Sequence, residues 1–344
     1  QRLTREDGIR LMESDDLLAV GYMADLVRRR KNGDYAYFIV NRHINHTNVC
    51  ANLCKLCAFG KKAEDPEAYT MSLDEIETRA LECRDQKISE LHIVGGLNPD
   101  LPLSYFEEML RRVRRKLPDV VIKAFTAVEI DYFAHTENLT VEEVLTRLQK
   151  AGLDSLPGGG AEIFSARVRE AICEKKVSGD RWLEIHETAH RMGMRTNATM
   201  LYGHVETVEE RIDHLIRLRE LQDRTGGFLT FIPLAFHPKN TGLEELNLSR
   251  TTGYEDLKVL AVARLMLDNF DHIKAYWVMI GPKLAQVSLA FGVDDIDGTI
   301  LEERITHAAG AESGQSLTKG AMVNMIKAAG RIPAERDTLY RIIK

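Results

Sequence analysis

The sequence predicts an α/β fold: a (β/α) TIM-like barrel with helical N- and C-terminal extensions. Three observations carry that expectation. At least seven short runs rich in β-branched and aromatic residues alternate with amphipathic stretches, the pattern of parallel strands joined by helices. The chemically unusual residues fall just after the strand-like runs, where such barrels carry their active sites. The 344 residues suffice for one barrel with additions at both ends, and no low-complexity linker or internal repeat divides them. The expected organisation is a helical extension over 1–34, the barrel over 35–290, and a C-terminal extension over 291–344 packed on the barrel.

Residues 1–33 read as a helical lead-in, with Leu11, Leu17, Leu18, Met23 and Leu26 as its apolar stripe and Asn32-Gly33 as its turn. A buried strand over 35–40 feeds a loop holding Cys50, Cys54 and Cys57. Ser72 and Glu75 form a capping box that opens a helix, with Ile76, Ala80 and Cys83 on one face. A strand over 91–94 ends at Gly95-Gly96. Ser104 and Glu107 form a second box, ahead of Met109, Leu110 and Val113. The next strand spans 120–125 and is followed by Glu129. Thr140 and Glu143 open a helix that stops at Gly152, and Ser155-Leu156 leads into Pro157-Gly158-Gly159-Gly160. Helices are expected around 166–172, 182–192 and 254–270. Another is capped by Thr207 and Glu210. The remaining strands fall at 196–202, 228–236 and 273–280.

The apolar fraction of 44% and charged fraction of 28% are those of an ordinary globular chain. A net charge of −6 argues against a general nucleic-acid surface. No apolar stretch approaches the ~20 residues of a membrane span, and no signal peptide is visible at Gln1. Clustered thiols suit a reducing compartment, so a cytoplasmic location is expected.

Cys50, Cys54 and Cys57 are separated by three and two residues. A short loop can turn all three thiols onto one iron–sulfur cluster, where cysteine thiolates are the usual ligands. Three ligands occupy three irons of a cubic cluster and leave the fourth open. A structural zinc site would want a fourth ligand, but Cys83 and Cys173 stand singly in helix-like stretches with no histidine at ligand spacing. Three consecutive glycines before Glu162 cost backbone entropy and imply positive φ or close approach to a ligand. His204 and His237 sit just past strand ends, where an acid/base or donor group would face a barrel mouth.

The cysteine loop resembles the signature of the radical S-adenosylmethionine (SAM) enzymes. The likeness extends through His43–Cys50, Leu156–Phe164, Asn197–Thr207, Thr225–Phe228 and Phe231–Pro238, which resemble the group handling menaquinone and deazaflavin precursors. Lys274–Met279 and Asp294–Thr299 lean toward the aminofutalosine synthase family within that group. The resemblance implies a [4Fe-4S] cluster on Cys50, Cys54 and Cys57, with SAM consumed as co-substrate. Gly95 and Gly96 would contact the methionine end of SAM, and Glu129 would accept from its ribose hydroxyls or else be a surface carboxylate. Gly159, Asn197 and Thr199 would also line the SAM site, and Asn197 and Thr199, with His204 and His237, would be donors to the substrate's two carboxylates. Phe59 would offer the aromatic face for adenine, since Leu56 stands where an aromatic is common. Glu162 would hydrogen-bond SAM or substrate, or cap the next helix. His204 and His237 would act on the substrate.

The implied substrate is 3-[(1-carboxyvinyl)oxy]benzoate. The 5′-deoxyadenosyl radical would add to its enol ether, giving 6-amino-6-deoxyfutalosine, methionine and CO2 or bicarbonate. A flavodoxin or ferredoxin would supply the electron. The alternatives are a cyclic dehypoxanthine futalosine synthase, a deazaflavin synthase component, or a non-catalytic metal-binding protein.

Overall fold

In a computed structural model the chain is described over residues 2–82, 87–300 and 302–343. Cys83, expected on a helix face, lies outside the described residues. The chain opens with α1 (Arg5–Glu13), started by a capping box in which Thr4 and Asp7 exchange bonds, and α2 (Leu17–Asn32), capped by Asp16. The expected apolar stripe is on the wrong face of α2. Leu18, Met23 and Leu26 are exposed, while Val20, Gly21, Ala24, Asp25 and Arg28 are buried. Small residues let this face approach its neighbours closely: a Cβ on Gly21 would overlap the ring of Phe291. The buried Arg28 is matched by Asp25 at 2.7 Å.

The barrel follows, as β1 (Tyr35–Ile39), β2 (Asn41–Ile44), α3 (Leu73–Leu81), β3 (Glu90–Ile93), α4 (Leu103–Lys116), β4 (Val121–Ala124), α5 (Ala127–Thr136), α6 (Val141–Ala151) and β5 (Ser155–Leu156). It continues through α7 (Ala166–Cys173), α8 (Gly179–Arg191), β6 (Arg195–Tyr202), α9 (Val208–Thr225), β7 (Phe228–Ala235), α10 (Gly253–Met266) and β8 (His272–Ile273). The last stretch holds α11 (Trp277–Ile280), α12 (Pro282–Ser288), β9 (Asp295–Gly298), α13 (Ile305–Ala308), α14 (Lys319–Ala328) and β10 (Ile332–Glu335). Strands β2 to β8 form one parallel sheet in chain order, and β1 pairs with β9 and β10. A bridge between Lys274 and Asp295 joins the end of β8 to β9. The amide of Thr299 then donates to Ile39, so the ring returns to its first strand. The core is continuous, with Phe38, Leu91, Ile93, Ile122, Leu156, Ala198 and Phe231 buried along the strands.

Local chemistry explains most boundaries. Ser72, Thr140 and Thr207 head the expected capping boxes, and Thr126 with Glu129 makes a further one at the start of α5. The box expected at Ser104 is absent. Pro102 occupies the N-cap, the amide of Leu103 donates to Glu137, and Glu107 binds Arg147 instead. The strand expected over 273–280 stops at Ile273. The Trp277 indole turns inward to donate to the Gly298 carbonyl, and the amides of Met279 and Gly281 close a helical turn on Tyr276 and Trp277. A short apolar run does not distinguish strand from buried helix by periodicity.

Residues 291–344, expected to pack on the barrel, contribute two strands hydrogen-bonded to β1. The segment after β10 then covers the N-terminal ends of the strands. Arg336 Nε binds Asp295 at 2.6 Å, Thr338 Oγ1 donates to Glu90, and Tyr340 stacks on His272 with centroids 3.6 Å apart. Arg336 and Asp295 are both buried, so removing one leaves the other uncompensated. Arg336→Met is expected to cost about 3–5 kcal/mol of stability in urea unfolding.

Candidate functional site

One cavity of about 340 Å³ opens at the C-terminal ends of the strands and runs down into the barrel. Cys50, Cys54 and Cys57 line its mouth, with Phe59, Gly95, Gly96, Glu129, Gly159 and Glu162 around them. Asn197, Thr199 and His237 line the same space from β6 and the end of β7. Twelve of the thirteen residues expected at the site therefore come together.

The exception is His204. It is absent from the cavity wall, and its side chain is fully buried. Its Nε2 lies 3.1 Å from the Leu201 carbonyl and its Nδ1 2.9 Å from Glu206. Glu206 also accepts from the amides of Gly203 and His204 and from Arg211. This is a loop lock after β6. A position past a strand end places the backbone near the mouth but does not decide which way the ring points.

The cysteine loop is held from several sides. The amide of Cys50 donates to Lys61, that of Ala51 to Leu97, and that of Leu56 to Ile172 on α7. Cys57 accepts at Sγ from the amide of Gly60 at 3.4 Å. Burial pushes the Cys54 thiol up to about 11, so a bound metal is what would keep it a thiolate. A cubic cluster takes each thiolate on a different iron, and the donor set here, three cysteines of one loop at the mouth of the cavity, fits that group.

The glycine pair is explained by packing against this loop. A Cβ on Gly96 would overlap the carbonyl of Val49, and one on Gly95 would run into the ring of His46. Neither glycine has positive φ. Their service is close approach of the β3 loop to the cysteine loop, with the Gly96 amide bound to Thr47 at 2.9 Å. In the later run, Gly160 does have φ 86°. There Gly158 lies against β6, its carbonyl accepting from Thr199 Oγ1 at 2.6 Å.

Two carboxylates face the upper cavity under different constraints. Glu129 accepts from the amide of Thr126 at 2.7 Å, from its hydroxyl, and from the amide of Gly95 at 3.3 Å. It is both a helix cap and a tie between two strand ends, not a surface residue. Burial outweighs these bonds and pushes its carboxyl up to about 7. For Glu162 burial acts in the same direction, but Lys176 at 2.6 Å holds it below its ordinary value. His237 binds the Met279 carbonyl through Nε2 at 3.0 Å, leaving a buried Nδ1 without a partner among the described residues, and burial lowers its pKa. It is therefore neutral near pH 7, with an acceptor to spare.

Deeper in the cavity stand residues that the sequence did not assign to the site: Lys123, Lys274, Glu90, Asp297 and the stacked rings of His43 and His92. A lysine in the middle of the apolar run 120–125 was the available signal.

Two outcomes follow. Gly96→Ala is expected to push the cysteine loop off its seat and lower the iron and sulfide bound per chain after anaerobic reconstitution. A folded Glu129 carboxyl at about 7, against 4.5 ordinarily, holds its proton across that interval. The folded state then binds more protons than the unfolded one, so this group makes stability fall as pH rises through the interval. Glu129→Gln is expected to flatten that slope in urea unfolding across the same range.

The profile of the Radical SAM superfamily matches residues 44–218, and that of the CofH/MqnC C-terminal region matches residues 225–344. The chain is 49% identical over 346 residues to the aminodeoxyfutalosine synthase of Thermus thermophilus, covering 100% of this chain and 93% of the relative. It is 42% identical over 347 residues to the 5-amino-6-(D-ribitylamino)uracil–L-tyrosine 4-hydroxyphenyl transferase of Methanothermobacter thermautotrophicus, covering 99% and 95%. Among solved structures it is similar to methylornithine synthase, with a TM-score of 0.77 at 18% identity over 97% of this chain and 95% of that one. At that identity the structural likeness speaks for the fold alone. Full-length likeness at nearly half identity, with a superfamily match across half the chain, leads to one conclusion: this chain belongs to the radical SAM enzymes.

Proposed function

We propose that the chain is an aminodeoxyfutalosine synthase. It joins the 5′-deoxyadenosyl group of SAM to the enol ether of 3-[(1-carboxyvinyl)oxy]benzoate and releases one carboxylate as CO2 or bicarbonate. The products are 6-amino-6-deoxyfutalosine and methionine. The observation that carries this reading is likeness to the Thermus enzyme along the whole chain. That likeness includes the C-terminal half, which supplies the wall residues Lys274, Tyr276 and Glu303.

Cys50, Cys54 and Cys57 would hold the [4Fe-4S] cluster, with the Gly60 amide bonded to Cys57 Sγ. When bound and reduced by a flavodoxin- or ferredoxin-like donor, the cluster supplies the electron that splits SAM into methionine and the 5′-deoxyadenosyl radical. Gly95, Gly96, Glu129, Gly159, Asn197 and Thr199 surround the space next to the cysteines and would bind SAM, with Phe59 as its aromatic face. Glu162, ion-paired to Lys176, stays an acceptor at that level. Its task is to orient a donor group, since a held carboxylate is a poor proton source. His237 keeps one tautomer through Met279 and offers Nδ1 to a ligand hydroxyl or amine. Val94, Leu97, Leu201, Ile232, Leu234 and Phe236 give the cavity apolar walls, which exclude water from a reactive carbon centre. Holding the alkene beside C5′ of SAM removes much of the entropic cost of the encounter.

Anaerobic reconstitution, reduction with dithionite, and addition of SAM and the enol ether, followed by mass spectrometry, test the reading. The expected product is an adenosyl adduct lacking one substrate carboxylate, and Cys54→Ala is expected to reduce its formation to background. Turnover of tyrosine or dehypoxanthine futalosine, with free 5′-deoxyadenosine and no adduct, would replace the assigned substrate.

A further inference from the structure

We propose that the floor of the cavity is a carboxylate-binding subsite, built on Lys123 and Lys274, that receives the benzoate end of the substrate. The inference rests on the proposed function for its ligand and on the barrel interior for its chemistry. The interior of a closed eight-stranded barrel is ordinarily filled by layers of branched apolar side chains. Here the inward row across β2, β3 and β4 is polar: His43, His92 and Lys123 are register partners. Lys274 joins the same wall from the end of β8.

Both lysines are nearly inaccessible, at 4% and 2% exposure, yet both line the cavity that holds the cysteines. Lys123 Nζ bonds Glu90 at 2.8 Å, and Lys274 Nζ bonds Asp297 at 2.9 Å. An ammonium has three N–H donors, so one bond each leaves donors to spare on both. The Glu90 carboxylate is engaged from other sides as well. Glu90 also accepts from Thr338 Oγ1, and Asn41 Nδ2 lies 3.5 Å from its other oxygen. Among the described residues each ammonium thus has one hydrogen-bond partner and N–H donors left over, which is what a preorganised anion site requires.

The surrounding charge supports an anionic ligand. A further carboxylate on the cavity wall, Glu303, has its own cation in His307, whose bond to it raises the imidazole pKa to about 9. His43 and His92 are driven neutral by burial and remain available as uncharged hydrogen-bonding groups. A buried ion pair is poor value for stability compared with apolar packing, and two of them facing a cavity are better explained by a ligand. The substrate fits end to end. Its alkene must lie near the cysteines, where SAM is cleaved, so the benzoate carboxylate is the end that points down the barrel.

The test uses the cluster-loaded enzyme without reductant. Isothermal titration measures affinity for 3-[(1-carboxyvinyl)oxy]benzoate and for the analogue whose benzoate carboxylate is a carboxamide. The wild type is expected to prefer the acid by about tenfold or more, the size of a charge-assisted hydrogen bond. The paired variant Glu90→Gln/Lys123→Met removes a cation without stranding its partner, and it is expected to bind acid and amide alike. Asp297→Asn/Lys274→Met provides a second, independent pair should the first fail to load its cluster. A wild type indifferent to the change, or paired variants that keep the full preference, would overturn the subsite. A wild type that prefers the acid but forms no adenosyl adduct would overturn the proposed function and leave the subsite standing.

Discussion

The architecture depends on one buried contact between distant parts of the chain. Glu90, at the first residue of β3, accepts from Lys123 on one side and from Thr338 on the other. The first bond faces the ligand cavity. The second belongs to the segment that covers the bottom of the barrel. Arg336 and Asp295 repeat the arrangement a few residues away. An ion pair sealed from water is worth far more to position than to stability. The floor of the site is therefore held by the same groups that hold the C-terminal segment in place.

The mouth is held by the opposite means. There the backbone does most of the positioning, with amides tied to carbonyls across the cysteine loop and small residues permitting approach. Thr126 and Glu129 show how economical this is. A helix cap supplies the carboxylate that also ties down the Gly95 amide. Fixed backbone dipoles need no reorganisation when charge develops nearby, which suits the end of the cavity where the reaction is assigned. Side-chain charges, which must be matched one by one, lie deeper.

Much of this was legible in the sequence. The cysteine spacing, the strand-and-helix rhythm and three capping boxes are local signals, and each was read where it stands. The errors share a cause: each was decided by tertiary contacts. Leu18, Met23 and Leu26 have helical spacing, but α2 buries the face carrying Gly21, Ala24 and the Asp25–Arg28 pair. The run after Ile273 is apolar enough for a strand, yet the Trp277 indole finds its acceptor only if the chain turns. Strands β9 and β10 are four residues each, and their partner lies at the other end of the chain. His204, expected at the site, and Lys123, to which no role was given, turn in opposite directions. A histidine at a strand end turned away into a carboxylate, while a lysine inside an apolar strand turned toward the cavity. Direction within a barrel follows from register, which a single strand does not reveal.

The pairing of β1 with β10 also bears on the order of events in the cell. Residues 35–38 meet 332–335, so all the residues between them must be made before the first strand acquires that neighbour. Until then Glu90 lacks Thr338 and Asp295 lacks Arg336, although the cysteine loop has long since emerged. Closing so long a loop is entropically costly and slow. A nascent chain of this design therefore exposes its thiols well before it possesses a finished barrel to shelter them.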